Sequence, residues 1–261
     1  MSHYSLSLIS LPGLPLVKPG DDLVCLIADG LLRAGLALQP DDVLVVTSKI
    51  VSKAEGRFVE LAAVEPSPEA LRLAAVTGKD ARLVELILRE SSAVSRAAPG
   101  VLVVRHRLGF VSANAGIDQS NIENGGAAVL LLPLDPDASA QKLRAGLRDR
   151  TGVDVAVVLS DSHGRPFRLG NVGVAVGVSG LPALLDLRGT PDLFGRPLQI
   201  TQVAYADLIA SAAALLLGEG AEGRPVVLMR GLHRPPGEGH AADLNRPVEQ
   251  DLYHTRTAQG M

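Results

Sequence analysis

Tryptophan is missing altogether, and aromatic residues of every kind make up only 3% of the chain. Few flat platforms remain for stacking bases or sugars, and the core has to be built from Leu, Val, Ile and Ala. Cys25 is the one cysteine. No intrachain disulfide can form, which favours a reducing compartment. No Lys/Arg cluster stands out and the net charge is −3, whereas a nucleic-acid binder would carry a basic face. Long apolar runs are absent too: the longest, Leu208 to Leu217, is far too short to span a bilayer. Met1 to Ser10 has neither the basic start nor the cleavage site of a signal peptide. The expectation is a cytoplasmic chain that engages neither membrane nor nucleic acid.

What is present suits a soluble globular protein: 261 residues, 47% hydrophobic and 20% charged. That length fits one large domain or two small ones and buries a real core without staples.

Periodicity and punctuation predict the elements. Leu6–Ser10 alternates as a strand and enters a Pro/Gly loop, Leu11-Pro-Gly-Leu-Pro-Leu-Val-Lys-Pro-Gly20. Asp21 or Asp22 caps a helix with Leu23, Leu26, Ile27 and Leu31 on one face, ended near Gly35. Val43–Thr47 is a short buried strand. Ser67-Pro68-Glu69 starts a helix that Gly78 closes, and Asp80–Ser91 is a second helix. Val101–Arg105 and Ala127–Leu132 read as strands. Asp135-Pro136 opens a helix that Gly152 closes, and Val155–Ser160 is a buried strand. Val172–Val178 is strand-like, Tyr205–Leu217 helical and Val226–Met229 a last strand. The class is α/β or mixed α+β. Residues 1–231 would form the working domain, in two subdomains. Gly231 to Met261, rich in Pro, Gly, His and charge, reads as an extended arm or disordered end.

Three segments carry candidate chemistry. Thr47-Ser-Lys-Ile-Val-Ser-Lys-Ala-Glu-Gly-Arg57 begins where a buried strand ends, the place where open α/β sheets put ligand groups. Its hydroxyls and lysines suit an anion such as a phosphate chain; a solvated loop with incidental Lys is the plainer alternative. No Gly-x-x-x-x-Gly-Lys-Ser/Thr occurs anywhere. Gly109-Phe-Val-Ser-Ala-Asn-Ala-Gly-Ile-Asp-Gln-Ser-Asn121 surrounds Asp118 with small residues and amides. Such an oxygen-rich loop can hold a hard divalent cation, yet Asn, Asp, Gly and Ser equally favour turns. In Val155-Ala-Val-Val-Leu-Ser-Asp-Ser-His-Gly-Arg-Pro-Phe-Arg168, an apolar strand ends in Ser160-Asp161-Ser162 and two Arg follow in a Gly/Pro turn. Asp161 with Ser162 makes a plausible metal-ligand pair, and Arg165 and Arg168 suit a phosphate or carboxylate; a cap and surface ion pairs is the bland account. Gly170, Gly173, Gly177 and Gly180 point to bulges or close packing rather than to a nucleotide loop. Leu217-Gly-Glu-Gly-Ala-Glu-Gly223, taken alone, is a helix end and a flexible acidic loop.

Together and in order, Gly-Leu-Pro-Leu, Thr-Ser-Lys-Ile-Val-Ser-Lys-Ala-Glu-Gly-Arg, Gly-Phe-Val-x-Ala-Asn-Ala-Gly-Ile-Asp-x-Ser-Asn, Leu-Pro-x-Asp-Pro-Asp-Ala-Ser-Ala and Ser-Asp-Ser-x-Gly-Arg-Pro-x-Arg closely resemble the coenzyme F420-0:L-glutamate ligase family. The resemblance runs from about Leu11 to Gly231. It implies a two-part α/β fold in an intertwined homodimer. It also implies a GTP-dependent ligase that adds L-glutamate to the phospholactyl carboxylate of a deazaflavin, coenzyme F420-0, and then a further γ-linked glutamate. Mg2+ or Mn2+, with K+ as a further cation, are its implied cofactors. Carried over by motif, Leu14, Pro15, Leu16, Val17, Ser48, Lys49, Lys53 and Asn121 resemble nucleotide contacts. Leu217, Gly218, Glu219, Gly220 and Ala221 resemble a further nucleotide wall that ends at Arg224. Asp118, Asp161, Ser162 and Glu219 resemble metal ligands, and Lys49, Arg165 and Arg168 catalytic cations.

The chain departs from the family pattern at Ser162, where Thr is usual, at His163, where an aromatic is, and at Phe167, where Trp is. Ser keeps the oxygen; the lost aromatics bear on substrate-ring contacts. Some relatives continue into a flavin-dependent reductase domain, for which the residues after Gly231 are too few. Two alternatives stay open: a ligase of the same scaffold for another small carboxylate, and a catalytically silent GTP- and metal-binding partner protein.

Overall fold

Runs of β-branched and Leu residues bounded by turn chemistry set the central strands. Val43–Thr47 (β2) reads Val-Leu-Val-Val-Thr, and its first four residues are wholly buried, as expected of a strand covered on both faces. The computed structural model describes residues 4–122 and 126–251. In chain order the elements are β1 (Ser7–Ser10), α1 (Leu23–Arg33), β2, α2 (Ser48–Ala54), β3 (Phe58–Glu60), α3 (Pro68–Thr77), α4 (Ala81–Arg89), β4 (Ser91–Ala98), β5 (Val101–His106), β6 (Val111–Ala113) and β7 (Ala128–Leu130). There follow α5 (Pro136–Thr151), β8 (Ala156–Arg165), β9 (Arg168–Ser179), β10 (Leu184–Asp186), β11 (Gln202–Ala204), α6 (Tyr205–Leu217) and β12 (Val226–Arg230). The mixed α/β class matches the expectation.

By internal contacts the chain divides into two units. The first is Met1–Ala63 with Gly116–Ala241, the second Val64–Ala115 with Ala242–Met261. Residues 252–261 of the C-terminal stretch lie outside the described residues.

The first unit is built on a five-stranded sheet in the order β1-β12-β2-β8-β9. Only β2 and β8 run parallel, with Thr47 beside Ser160; the other neighbours are antiparallel. Helices α5 and α6 both pack on β9. Between Leu159↔Gly177 and Ser160↔Ala175 the ladder slips by one residue. Such a bulge inverts the alternation of faces, so two odd-numbered glycines meet different helices. At Gly177 a Cβ would lie 2.5 Å from the Pro136 carbonyl oxygen at the start of α5. At Gly173 it would collide with the Ala210 carbonyl in α6. The close packing expected of this glycine series is present at Gly173 and Gly177, while at Gly170 nothing lies within 4 Å.

Two expectations need correction. The segment after Thr47 is not a solvated loop: Ser48–Ala54 is helix α2, with Ser48, Ile50, Val51 and Ser52 buried. No Gly or Pro interrupts it, and its apolar pair has a core to face. The strand expected to end at Ser160-Asp161-Ser162 continues to Arg165. Residues Asp161 to Arg165 pair with Arg168 to Val174 in a ribbon, so ladder hydrogen bonds sustain a strand that apolar patterning does not mark. The ribbon turns at Pro166-Phe167, with Phe167 at φ 60°, the left-handed position that follows Pro in a tight turn.

The second unit pairs helices α3 and α4 with the antiparallel sheet β4-β5-β6. The Ser67 side chain caps α3, Gly78 ends it at φ 70°, and Asp80 caps α4. Glu85 accepts the Ser67 N–H at 2.9 Å, which joins the two helices.

Candidate active site

The first unit brings four segments to one edge of its sheet. Parallel strands β2 and β8 end there side by side, and antiparallel β12 begins there, with Val226 opposite Val46. The edge therefore receives the start of α2, the continuation of β8 and the 218–225 loop. The fourth segment hangs on β7, where Asp118 and Leu130 exchange both backbone hydrogen bonds at 2.9 Å. Leu130 also pairs with Phe58 of β3, a few residues beyond α2. This is the end of an open sheet at which side chains meet ligands.

Ser48, buried at the first position of α2, donates from Oγ to Asp161 Oδ1 at 3.1 Å. Asp161 Oδ2 lies 2.9 Å from His163 Nε2. From the next position of α2, Lys49 Nζ reaches Asp118 Oδ2 at 2.7 Å and Ser120 Oγ at 3.0 Å. Asp118 Oδ1 accepts the N–H and the hydroxyl of Ser120, both at 2.7 Å. Lys53 Nζ donates to the Asn121 carbonyl at 2.8 Å, and Asn121 Nδ2 to the Gly220 carbonyl at 3.2 Å. Ser162 Oγ donates to Glu219 Oε1 at 2.6 Å. Ser48, Lys49, Lys53, Asp118, Asn121, Asp161, Ser162, Glu219 and Gly220 are thus joined pairwise.

Burial pushes the Asp118 carboxyl up, but the Lys49 ammonium and the Ser120 donors outweigh it and hold the group below the usual carboxylate range. Asp207, in the first turn of α6, goes the other way. Burial raises it, opposed by the Ala175 N–H and the charge of His163.

Other expected residues lie elsewhere on the unit. Leu14 packs toward Gly30 of α1, Val17 is buried and Leu16 is exposed. Their loop is tied to the far end of α2 by the Gly20 N–H on the Ala54 carbonyl at 2.8 Å. Arg165 and Arg168 face each other at the ribbon's tip. Four residues of strand put Arg165 roughly 13 Å from Asp161, so the structure does not bring the arginines to the carboxylates. Leu217 ends α6, and Gly218 and Ala221 belong to the turn that follows.

Among the described residues no three His, Cys, Asp or Glu side chains converge as a ready-made metal set. The four expected ligands, Asp118, Asp161, Ser162 and Glu219, nonetheless all offer oxygen, the chemistry that suits a hard divalent cation, with His163 Nε2 against Asp161. Gly116 adds room: a Cβ there would meet Leu132 at 2.8 Å and Asp161 Oδ2 at 3.4 Å.

A family model described as F420-0:Gamma-glutamyl ligase matches residues 13–231. The chain belongs to the F420-0:gamma-glutamyl ligase family. It is similar to a protein of Methanothermobacter thermautotrophicus named coenzyme F420:L-glutamate ligase, with 48% identity over 95% of this chain and 98% of the relative. Proteins of the same name from Methanopyrus kandleri and Archaeoglobus fulgidus are 48% and 46% identical, over 91% and 92% of this chain and 93% of each relative. As a member of this ligase family the chain is an enzyme.

Some residues at this sheet edge carry parts that the sequence did not single out. Ser120 completes the Lys49–Asp118 pair; the Asp-x-Ser spacing, an Asx-turn pattern, was the available signal. Glu55 and Arg57 fall inside the Lys-Ala-Glu-Gly-Arg motif. Glu55 Oε1 accepts the Ser139 hydroxyl at 2.5 Å and Arg57 Nε donates to the Leu132 carbonyl at 2.8 Å. These contacts brace α2 against α5 and the chain after β7.

Proposed function

We propose that the chain joins L-glutamate to coenzyme F420-0 at the expense of GTP, with Mg2+ or Mn2+ bound at Asp118 and Asp161. The observation that carries this reading is the convergence of lysines and acidic oxygen donors at one sheet edge. Ser48–Asp161 and Lys49–Asp118 lie on adjacent segments. The names of relatives covering over nine-tenths of the chain supply glutamate and the deazaflavin.

A carboxylate resists attack by an amine because oxide is a poor leaving group. Passing the γ-phosphoryl of GTP to the phospholactyl carboxylate gives GDP and an acyl phosphate. The glutamate α-amine then attacks the acyl carbon and expels phosphate. The protein's task is positioning and charge neutralisation. Lys49 and Lys53 set positive charge where phosphates would lie, and Ser48 and Asn121 offer neutral donors. A divalent cation held by Asp118, Asp161, Ser162 and Glu219 would supply further charge for the phosphate oxygens. Arg165 and Arg168 are assigned to an acidic group of a substrate. Like charges opposite one another across a ladder are unfavourable, and an anion between them removes the penalty. Leu14 to Val17 and Leu217 to Ala221 would wall the nucleotide. A homodimer, cytoplasmic residence, K+ and addition of a second glutamate belong to the same reading. Among the described residues no helix is long and apolar enough to cross a membrane.

GDP formation tests the coupling. It should require the deazaflavin acceptor, with glutamate needed for continued turnover. GDP released at the same rate without the acceptor would overturn the reading.

A further inference from the structure

Glu222 lies in the expected nucleotide wall with no role of its own assigned, yet it organises the loop that carries Glu219. The chain leaves α6 through Gly218 at φ 76°, where a Cβ would run into the Glu222 carboxylate. Glu222 Oε2 accepts the Gly220 N–H at 2.8 Å. The Gly220 carbonyl accepts Asn121 Nδ2 at 3.2 Å. The two peptide groups that flank the Gly220 Cα are therefore both held, the first through its N–H by Glu222 and the second through its carbonyl by Asn121. Glu219 stands between two glycines, and glycine backbones lose the most freedom on ordering. Without a tether, Gly218-Glu219-Gly220 would scatter the Glu219 carboxylate over many directions. With it, Glu219 Oε1 accepts the Ser162 hydroxyl at 2.6 Å.

We propose that Glu222 is a positioning residue whose carboxylate closes the Gly218–Glu222 turn and so aims Glu219 at Ser162. What Glu219 then does, hold a divalent cation beside the nucleotide, rests on the function proposed above. The geometric part does not. Gly218 is required first by its backbone, at φ 76° and ψ 171°, and a side chain there would also displace the Glu222 carboxylate. Backbone N–H groups of Glu222 itself and of Gly220 hold the Glu222 carboxyl below its usual range, so it is the anionic acceptor at neutral pH.

Two measurements on the full chain test this. The first is amide hydrogen exchange over residues 217–223 without any ligand. Glu222→Ala should speed exchange there by about tenfold, the size of one lost charge-assisted hydrogen bond. Glu222→Gln, which keeps an acceptor oxygen, should restore much of the protection. Unchanged exchange in Glu222→Ala overturns the tether. The second is Mn2+ binding in the presence of GTP, read by electron paramagnetic resonance, for wild type, Glu222→Ala, Glu219→Ala and the double variant. Both single changes should weaken binding, and the double variant should bind no more weakly than Glu219→Ala alone, because Glu222 acts through Glu219. Additive losses would overturn that link. Thermal melts near the wild-type value confirm that each variant folds. If wild type binds neither Mn2+ nor GTP, the proposed function falls, and the exchange experiment still decides the tether.

Discussion

Asp118 and Asp161 differ in how each carboxylate is held. Asp118 is tied into the β7 ladder by its backbone and faces Lys49 and Ser120. Asp161 sits where β8 leaves the buried sheet and is held by Ser48 and His163. Asparagine at either position keeps the size and one oxygen but removes the charge. Asp118→Asn and Asp161→Asn should each abolish metal-dependent turnover while far-UV circular dichroism and the melting transition stay close to wild type; near-normal activity in both would remove the metal assignment. Lys53→Ala should raise the apparent GTP requirement by about tenfold, the size of a lost hydrogen bond to a charged group, and barely move the glutamate requirement. Steady-state kinetics with each substrate varied in turn separate the two. An effect confined to glutamate would reverse the role of Lys53. The Asp118 site was legible in the sequence only as one of two alternatives, because Asn, Asp, Gly and Ser also build turns. The turn chemistry is present: Asp118 Oδ1 caps an Asx turn at Ser120, while Oδ2 meets Lys49.

Among the elements, helices with strong end signals were legible to within a residue or two. Helix α5 starts at Pro136 after the Asp135 cap and stops before Gly152 at φ 74°. Such signals are local: a first-turn Pro lacks an N–H that the helix would not use, and Gly tolerates the left-handed stop. Strands held by ladder pairing without apolar patterning were not legible. Strand β4, Ser-Ser-Ala-Val-Ser-Arg-Ala-Ala, is mostly exposed and exists through its pairing with β5. The polar half of β8 likewise depends on β9. Helix α2 is seven residues long and lacks a side-chain cap, so it depends on the sheet it packs against and on the Glu55 and Arg57 braces. At this scale Gly177→Ala is the informative change. A methyl group there meets the Pro136 carbonyl at 2.5 Å, backbone that cannot simply rotate away. Overpacking of this kind costs about 1–3 kcal/mol, and urea unfolding should show a loss of that size. Gly170→Ala, with nothing within 4 Å, separates overpacking from the strain of its φ of 85°.

Across the molecule, charge pairs fasten the chain after β12 to the first unit. Arg144 of α5 bonds Asp154 at 2.7 and 2.9 Å and Glu238 at 2.6 Å, and Glu238 also accepts the Gly180 N–H at 2.8 Å. Arg144 holds the Asp154 carboxyl below its ordinary 3.8. Burial raises Glu238, and Arg144 with the Gly180 N–H more than offsets this, leaving it below 4.5. A carboxyl with a depressed folded-state pKa contributes stability above its unfolded pKa and loses it as pH falls through the folded one. The stability advantage of wild type over Arg144→Gln should therefore be present at pH 7 and shrink as pH falls below about 4. Chemical unfolding at several pH values checks this; a gap that widens toward acid would contradict it.

The sheet edge matters only if it performs the joining reaction. The direct measurement is product mass after incubating the protein with coenzyme F420-0, GTP, L-glutamate and Mg2+ or Mn2+. The account predicts a deazaflavin product heavier by one or more glutamyl residues, with GDP formed alongside and no product when GTP or the metal is left out. An unchanged acceptor mass under conditions in which the folded protein binds GTP would contradict it.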